Sequence, residues 1–252
     1  MYRTDSTGFG DIKVIQKTGF GYGVDAVLLA AFAAGETGAA VAHDDSGGCI
    51  TAADLGTDCG IVAFIYAHKF PGAKVLGVEK REDAVRRAEE AVCINGMEDR
   101  VKILACDVAD IADGSADAGT GIYDAVLSNP PYFRKDAALP SASSDRYTAR
   151  HETTAGIREF SQAASVMLKP GGRFYLVHRP DRLADIFAAL RIAGLEPKEM
   201  QLVSPRQGES ANIVLISSVK GGGPQLKMLP ELSVHTADGG YTQEILRIYE
   251  RL

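Results

Sequence analysis

The sequence predicts an α/β fold: a doubly wound, mostly parallel sheet with helices on both faces. Three observations lead there. From residue 50 onward, short apolar runs alternate with longer amphipathic ones, the pattern of strands and crossover helices. The first run closes on a glycine-bearing turn, and Glu79 ends the second run 19 residues after Gly60, a spacing typical of nucleotide-binding α/β units. The last two runs are separated only by Pro205 to Ser210 (PRQGES). A parallel crossover needs about a dozen residues, so this pair is expected to run antiparallel.

Taken in order, strands are expected at 50–55, 74–79, 100–105, 122–128, 172–178, 197–204 and 211–219, and helices at 59–70, 81–95, 155–169 and 181–193. In the second helix Ala84, Val85, Ala88, Ala91, Val92 and Asn95 recur at three- and four-residue spacing, which defines one face. Lys169, Pro170, Gly171 and Gly172 give a helix stop and a turn before the fifth strand. Thr37 to Gly48 is small and polar and reads as a loop. No internal repeat is evident. The expected parts are an N-terminal extension at 1–48, a central domain at 49–220 and a C-terminal extension at 221–252 packed on that domain.

At 252 residues, with 46% hydrophobic and 24% charged residues, the chain has enough apolar content for one large domain. No apolar run approaches the roughly 18 residues of a membrane span, and residues 1–13 lack the pattern of a signal peptide, so a cytoplasmic protein is expected. Cys49, Cys59, Cys93 and Cys106 show no CxxC spacing and no clustered histidine. They read as reduced packing residues, with neither a metal site nor a disulfide framework. The net charge of −6 argues against non-specific coating of nucleic acid. Between Asn129 and Arg182, however, nine cations face five anions, so that segment is +4 and the remainder −10. This basic stretch is read either as solvated helix faces or as a substrate-facing rim.

Asp54, Leu55, Gly56, Thr57, Asp58, Cys59 and Gly60 close the first strand, where glycine allows a tight turn and close approach of a ligand. Glu79 stands where an acidic residue accepts hydrogen bonds from ribose hydroxyls. NAD and S-adenosylmethionine both fit this much. Asp58 in the turn would repel a pyrophosphate, whereas S-adenosylmethionine carries a cationic sulfonium and amino group instead. Asp107 follows the third strand, where it either meets an adenine, with Cys106 or Val108 along the ring, or caps the next helix.

After the fourth strand come Asn129, Pro130, Pro131 and Tyr132. Proline fixes its own φ, offers no N–H and holds the preceding residue extended. The corner therefore presents the Asn129 amide oxygen and the backbone carbonyls of Asn129 and Pro130 beside an aromatic face, a set suited to a planar group bearing NH2. The alternative is a simple turn.

With the DLG turn at 54–56, NPPYF at 129–133, Ile15 to Phe20, Asp25 to Ala30 and Ala149 to Glu152, the chain resembles the class I methyltransferases that carry an NPPY motif, and among them those that methylate N6 of adenine in tRNA. The resemblance implies a Rossmann-like seven-stranded sheet, mostly parallel with one antiparallel strand, and S-adenosylmethionine as cofactor. It implies catalytic roles for Asn129, Pro130 and Tyr132, and cofactor contacts from Asp54, Gly56, Gly60, Glu79, Asp107 and Asn129. Lys17 and Asp25 join these from an N-terminal lid, by resemblance only; Asp25 is otherwise a cap for an apolar helix at 26–34. Pro131, Phe133, Arg134, Lys135, Arg146 and Arg150 would form the substrate rim, the cations meeting RNA phosphates. Phe133 either extends the aromatic wall or packs. His151 is read as a surface hydrogen-bonder rather than a base. The chain departs from the family pattern at Asp58, where a glycine is common.

The partner so implied is RNA, specifically tRNA, with no metal and no membrane, acting as a monomer or weak dimer. Competing readings within the class are a protein glutamine, DNA adenine or guanine N2 of ribosomal RNA as acceptor. Outside it stand a nicotinamide-dependent oxidoreductase and a cofactor-binding module without catalysis.

Overall fold

The computed structural model describes residues 2–19, 21–42, 50–131 and 145–252, with backbone only for 145–155. The chain opens with a hairpin that the sequence reading missed, β1 (Tyr2–Ser6) and β2 (Lys13–Lys17), paired antiparallel in a sheet of their own. Then follow α1 (Val24–Ala33), β3 (Thr51–Leu55), α2 (Ile61–Lys69), β4 (Lys74–Glu79), α3 (Glu82–Ile94), β5 (Val101–Ala105), α4 (Val108–Asp113) and β6 (Tyr123–Ser128). The rest comprises α5 (Asp145–Met167), β7 (Leu168–His178), a 3-10 turn at Pro180–Arg182, α6 (Leu183–Ile192), β8 (Leu195–Arg206), β9 (Ile213–Lys220), β10 (Lys227–Met228), β11 (Leu232–His235) and α7 (Gln243–Ile248).

The main sheet has the order β10-β8-β9-β7-β6-β3-β4-β5, with β11 also on β8. Its seven inner strands are the expected Rossmann-like set. β9 runs antiparallel to both β7 and β8, and the other pairings are parallel. The two additional strands, β10 and β11, are short and extend the edge beyond β8. Strand order reverses at β3: the chain runs outward through β4 and β5, then returns to place β6 on the other side. A crevice opens at such a reversal, beyond the carboxyl ends of the two central strands.

Helices α1, α2 and α3 cover one face and α4, α5 and α6 the other, each over its own apolar cluster. Helices α1 (VDAVLLAAFA) and α2 (IVAFIYAHK) are apolar nearly all round, because each is enclosed on more than one side. The stretch Ala26–Ala33 is wholly buried, as is Ile61–Ala67. On α3 the predicted face is buried through Val92, but Asn95 lies just past the helix. Its amide pairs with β2 instead: Oδ1 accepts from Lys13 N–H at 2.8 Å and Nδ2 donates to Lys13 O at 2.8 Å.

Two boundaries differ from expectation. Helix α5 begins at Asp145 rather than 155. Strand β7 begins at Leu168, which pairs with Tyr123; pairing then resumes only at Arg173 with Ala125. The Lys169–Gly172 turn thus exists, as a bulge inside the strand, with Gly171 at φ +79°. Among the described residues no helix is long and apolar enough to cross a membrane, and no cluster of side chains could hold a metal. Cys59, Cys93 and Cys106 are free; Cys93 is exposed, contrary to a packing role.

Candidate cofactor and acceptor site

The two motifs come together at the strand reversal. Leu55 is the register partner of Ser128, so Gly56 and Asn129 are the next residues on two adjacent strands leaving the sheet side by side. Ser128 is fully buried, and its Oγ donates to the Leu55 carbonyl at 3.0 Å. Asn129 is half-buried, Pro130 buried and Pro131 exposed. Tyr132, Phe133, Arg134 and Lys135 lie outside the described residues, as do the side chains of Arg146, Arg150 and His151 on α5.

The turn after β3 is shaped by left-handed backbone at Gly56 (φ +73°), Asp58 (φ +46°) and Gly60 (φ +84°). At Gly60 glycine is required twice over, since a Cβ would also lie 2.6 Å from the Phe64 ring. The N–H groups of Gly56 and Thr57 both donate to Val78 O at 2.9 Å, which fastens the turn to β4. Asp54 is 1% exposed. It accepts from Thr57 Oγ1 at 2.6 Å and from the Ala63 N–H. Burial, reinforced by Glu79 and Asp58, still pushes its carboxyl up to about 7.

Glu79 ends β4 and is nearly buried. Its Oε2 accepts from Asp58 N–H at 3.1 Å, and its Oε1 from Arg81 N–H and Nε at 2.9 and 3.1 Å. On sequence alone Asp58 puts a free carboxylate in the turn. In the structure its Oδ1 accepts from Arg81 Nη2 at 2.6 Å and from Arg87 Nη2 at 3.2 Å, so two guanidinium groups offset it. Repulsion of a pyrophosphate by Asp58 is therefore weaker than the sequence alone implies. Asp107 is the cap of α4, its Oδ1 accepting from Ala109 N–H at 3.1 Å. The other oxygen lies 3.3 Å from Lys80 Nζ, so capping leaves this edge of the carboxylate at the surface.

Lys17 ends β2, and Asp25 lies in the first turn of α1. The cap of α1 is Gly23, not Asp25, and the Asp25 carboxylate occupies the space that a Gly23 side chain would need. Three further residues lie at or near the strand ends that form the site and had not been singled out from the sequence. Arg81 and Arg87 supply the charges that balance the turn. His178, buried at the end of β7, lies two register positions past Leu176, the partner of Ser128. Burial holds its imidazole below the usual range. An arginine two residues after the acidic strand end was a local signal; His178 had none, because its place depends on how β6 and β7 pair.

The family model described as methyltransferase small domain matches residues 44–189, more than half of the chain. The tRNA1(Val) (adenine(37)-N6)-methyltransferase of Porphyromonas gingivalis is 29% identical over 234 residues, covering 90% of this chain and 86% of the relative. The enzyme of the same name from Bacteroides fragilis is 27% identical, covering 91% of each chain. Among solved structures, a predicted O-methyltransferase from Agrobacterium tumefaciens superimposes with a TM-score of 0.70 at 23% identity, covering 90% of this chain and 96% of that one; a likeness at that identity shows the fold alone. A glycine turn and an Asn-Pro-Pro corner at the strand-order reversal of a mostly parallel sheet agree with the family match: the chain belongs to the methyltransferase small domain family.

Proposed function

We propose that the protein is an S-adenosylmethionine-dependent methyltransferase acting on the exocyclic N6 of an adenine in tRNA. The observation that carries this reading is the placement of Asn129 and Pro130 beside the Gly56 turn, on neighbouring strand ends tied by Ser128. The names of the relatives above support the choice of acceptor.

The residues present fit the cofactor. Asp54 and Glu79 place two buried carboxyl groups at the turn, acceptors suited to a ligand that brings hydroxyl donors and a cation rather than a pyrophosphate. Glu79 would accept from the ribose hydroxyls, Asp107 would face the adenine amine, and Gly56 and Gly60 keep the turn narrow. Lys17 and Asp25 would contact the cofactor from residues 1–48, of which α1 is built into the core, so a lid role would fall to the segment before it, while 49–220 form the catalytic domain and 221–252 pack on it. When bound, the cofactor supplies a methyl group already activated by its sulfonium. The protein's part is alignment. Asn129 Oδ1 and the Pro130 carbonyl would accept the two hydrogens of the adenine amine, favouring a pyramidal nitrogen with an available lone pair. No strong base is required. Tyr132 would stack on the extruded base and Pro131 and Phe133 would contact it, and Arg134, Lys135, Arg146 and Arg150 would meet phosphates. The enzyme acts in the cytoplasm as a monomer or weak dimer.

The test is transfer of labelled methyl from the cofactor to total RNA and to total protein, followed by nucleoside analysis. Label in N6-methyladenosine of tRNA is expected; label confined to protein would overturn the tRNA assignment.

A further inference from the structure

The Glu79 carboxylate is already engaged on both oxygens. Oε1 accepts twice from Arg81, through its backbone N–H and its Nε, and Oε2 accepts from the Asp58 N–H. A carboxylate offers about four acceptor directions, so one remains, on Oε2. A vicinal ribose diol brings two O–H donors. The second acceptor it needs is the one held by Arg81 Nε.

Arg81 is built to give that contact up. Its side chain is 53% exposed, so little packing holds it, and its Nη2 already lies 2.6 Å from Asp58 Oδ1. The guanidinium thus has a second anion to stay with when Nε leaves Glu79. Arg87 anchors that anion from the other side: it is 9% exposed, lies 3.2 Å from Asp58, is bonded to Asp83 at 2.6 Å and packs over the Tyr2 ring at 4.9 Å. Asp58 takes a left-handed backbone at φ +46°, where glycine would be less strained. A positioned anion for Arg81 accounts for an aspartate there.

We propose that Arg81 gates the ribose subsite. In the free protein its Nε covers Glu79; on cofactor binding it yields Oε1 to a ribose hydroxyl and remains on Asp58. The gate makes the site selective for ligands with an intact diol, because only two O–H donors replace what Glu79 loses. This inference rests on the reading of Glu79 as ribose acceptor in an S-adenosylmethionine site.

The test is calorimetric binding of S-adenosylhomocysteine and of its 3′-deoxy analogue to the wild type, Arg81→Met, Asp58→Asn and the double variant. Arg81→Met is expected to bind S-adenosylhomocysteine about fivefold tighter, as loss of one exposed charged contact would give, and to bind the deoxy analogue unchanged, since the open direction on Oε2 serves one hydroxyl. Asp58→Asn is expected to weaken binding in the wild type and to have no effect once Arg81 is Met. Unchanged or weaker binding by Arg81→Met, or equal tightening for both ligands, would overturn the gate while leaving the cofactor reading intact. A wild type that binds neither ligand would overturn both.

Discussion

Ser128 Oγ donates to the carbonyl of Leu55 at 3.0 Å, a bond between residues 73 apart in sequence that locks the end of the acceptor strand to the end of the cofactor strand. Everything proposed for catalysis depends on this adjacency, because the amine and the methyl group must meet in line.

Asn129→Ala should therefore separate chemistry from binding. Removing the amide acceptor is expected to lower kcat by about 100-fold, the scale seen when one preorganised polar contact to a transition state is lost. Binding of S-adenosylhomocysteine by calorimetry should change little. Loss of binding together with unfolding would assign Asn129 a purely structural turn.

Asp54 makes the site pH-dependent. Its carboxyl is raised from 3.8 to about 7 by burial first, with Glu79 and Asp58 adding to it against the hydrogen bonds from Thr57 and Ala63. The folded state consequently holds an extra proton between about pH 4 and 7. That contribution to stability is fully present below pH 4 and is lost as pH rises to 7, at no more than about 1.4 kcal/mol per pH unit. Urea denaturation of wild type and Asp54→Asn across this range should show the difference as a slope absent from the variant. Binding of the cationic cofactor should strengthen as pH rises through 7, since the ionised carboxylate favours it.

Asp58 carries backbone strain and two ion pairs at once. Asp58→Ala keeps the left-handed φ and loses both partners, one of them the nearly buried Arg87, and should cost about 1–2 kcal/mol in denaturant unfolding. Asp58→Gly loses the same partners but relieves the strain, so it should unfold within about 1 kcal/mol of wild type. Equal losses in the two variants would assign the whole effect to the ion pairs.

A run of stacked rings fastens the chain ends to each other. Phe9 stacks on Tyr249 at 5.5 Å, Tyr249 on Tyr241 at 5.5 Å, and Tyr241 on His235 at 5.2 Å. Tyr249→Ala is expected to destabilise by about 3 kcal/mol, as truncation of a buried aromatic does. Hydrogen exchange should then accelerate in the hairpin of β1 and β2; protection there equal to wild type would show that the stack does not hold it.

What the sequence determined by itself was local. The alternation of strands and helices follows from apolar periodicity, which needs only neighbours along the chain, and β4 lies where expected, at Lys74–Glu79. The rigidity of the Asn129 to Pro131 corner follows from proline's fixed φ, and the glycine turn followed by Glu79 was legible from spacing. The hairpin of β1 and β2 was not, because what holds it in place is non-local: Asn95, 82 residues along the chain, brackets Lys13 of β2. Tertiary structure alone decided the site's electrostatics. Asp58 reads as a free charge until Arg81 and Arg87 are brought to it, and Asp54 reads as an ordinary carboxylate until the packed turn removes its water. Charge and solvation depend on what lies nearby in space, and the pairing of β3 with β4 that sets those distances is a long-range fact of the sheet.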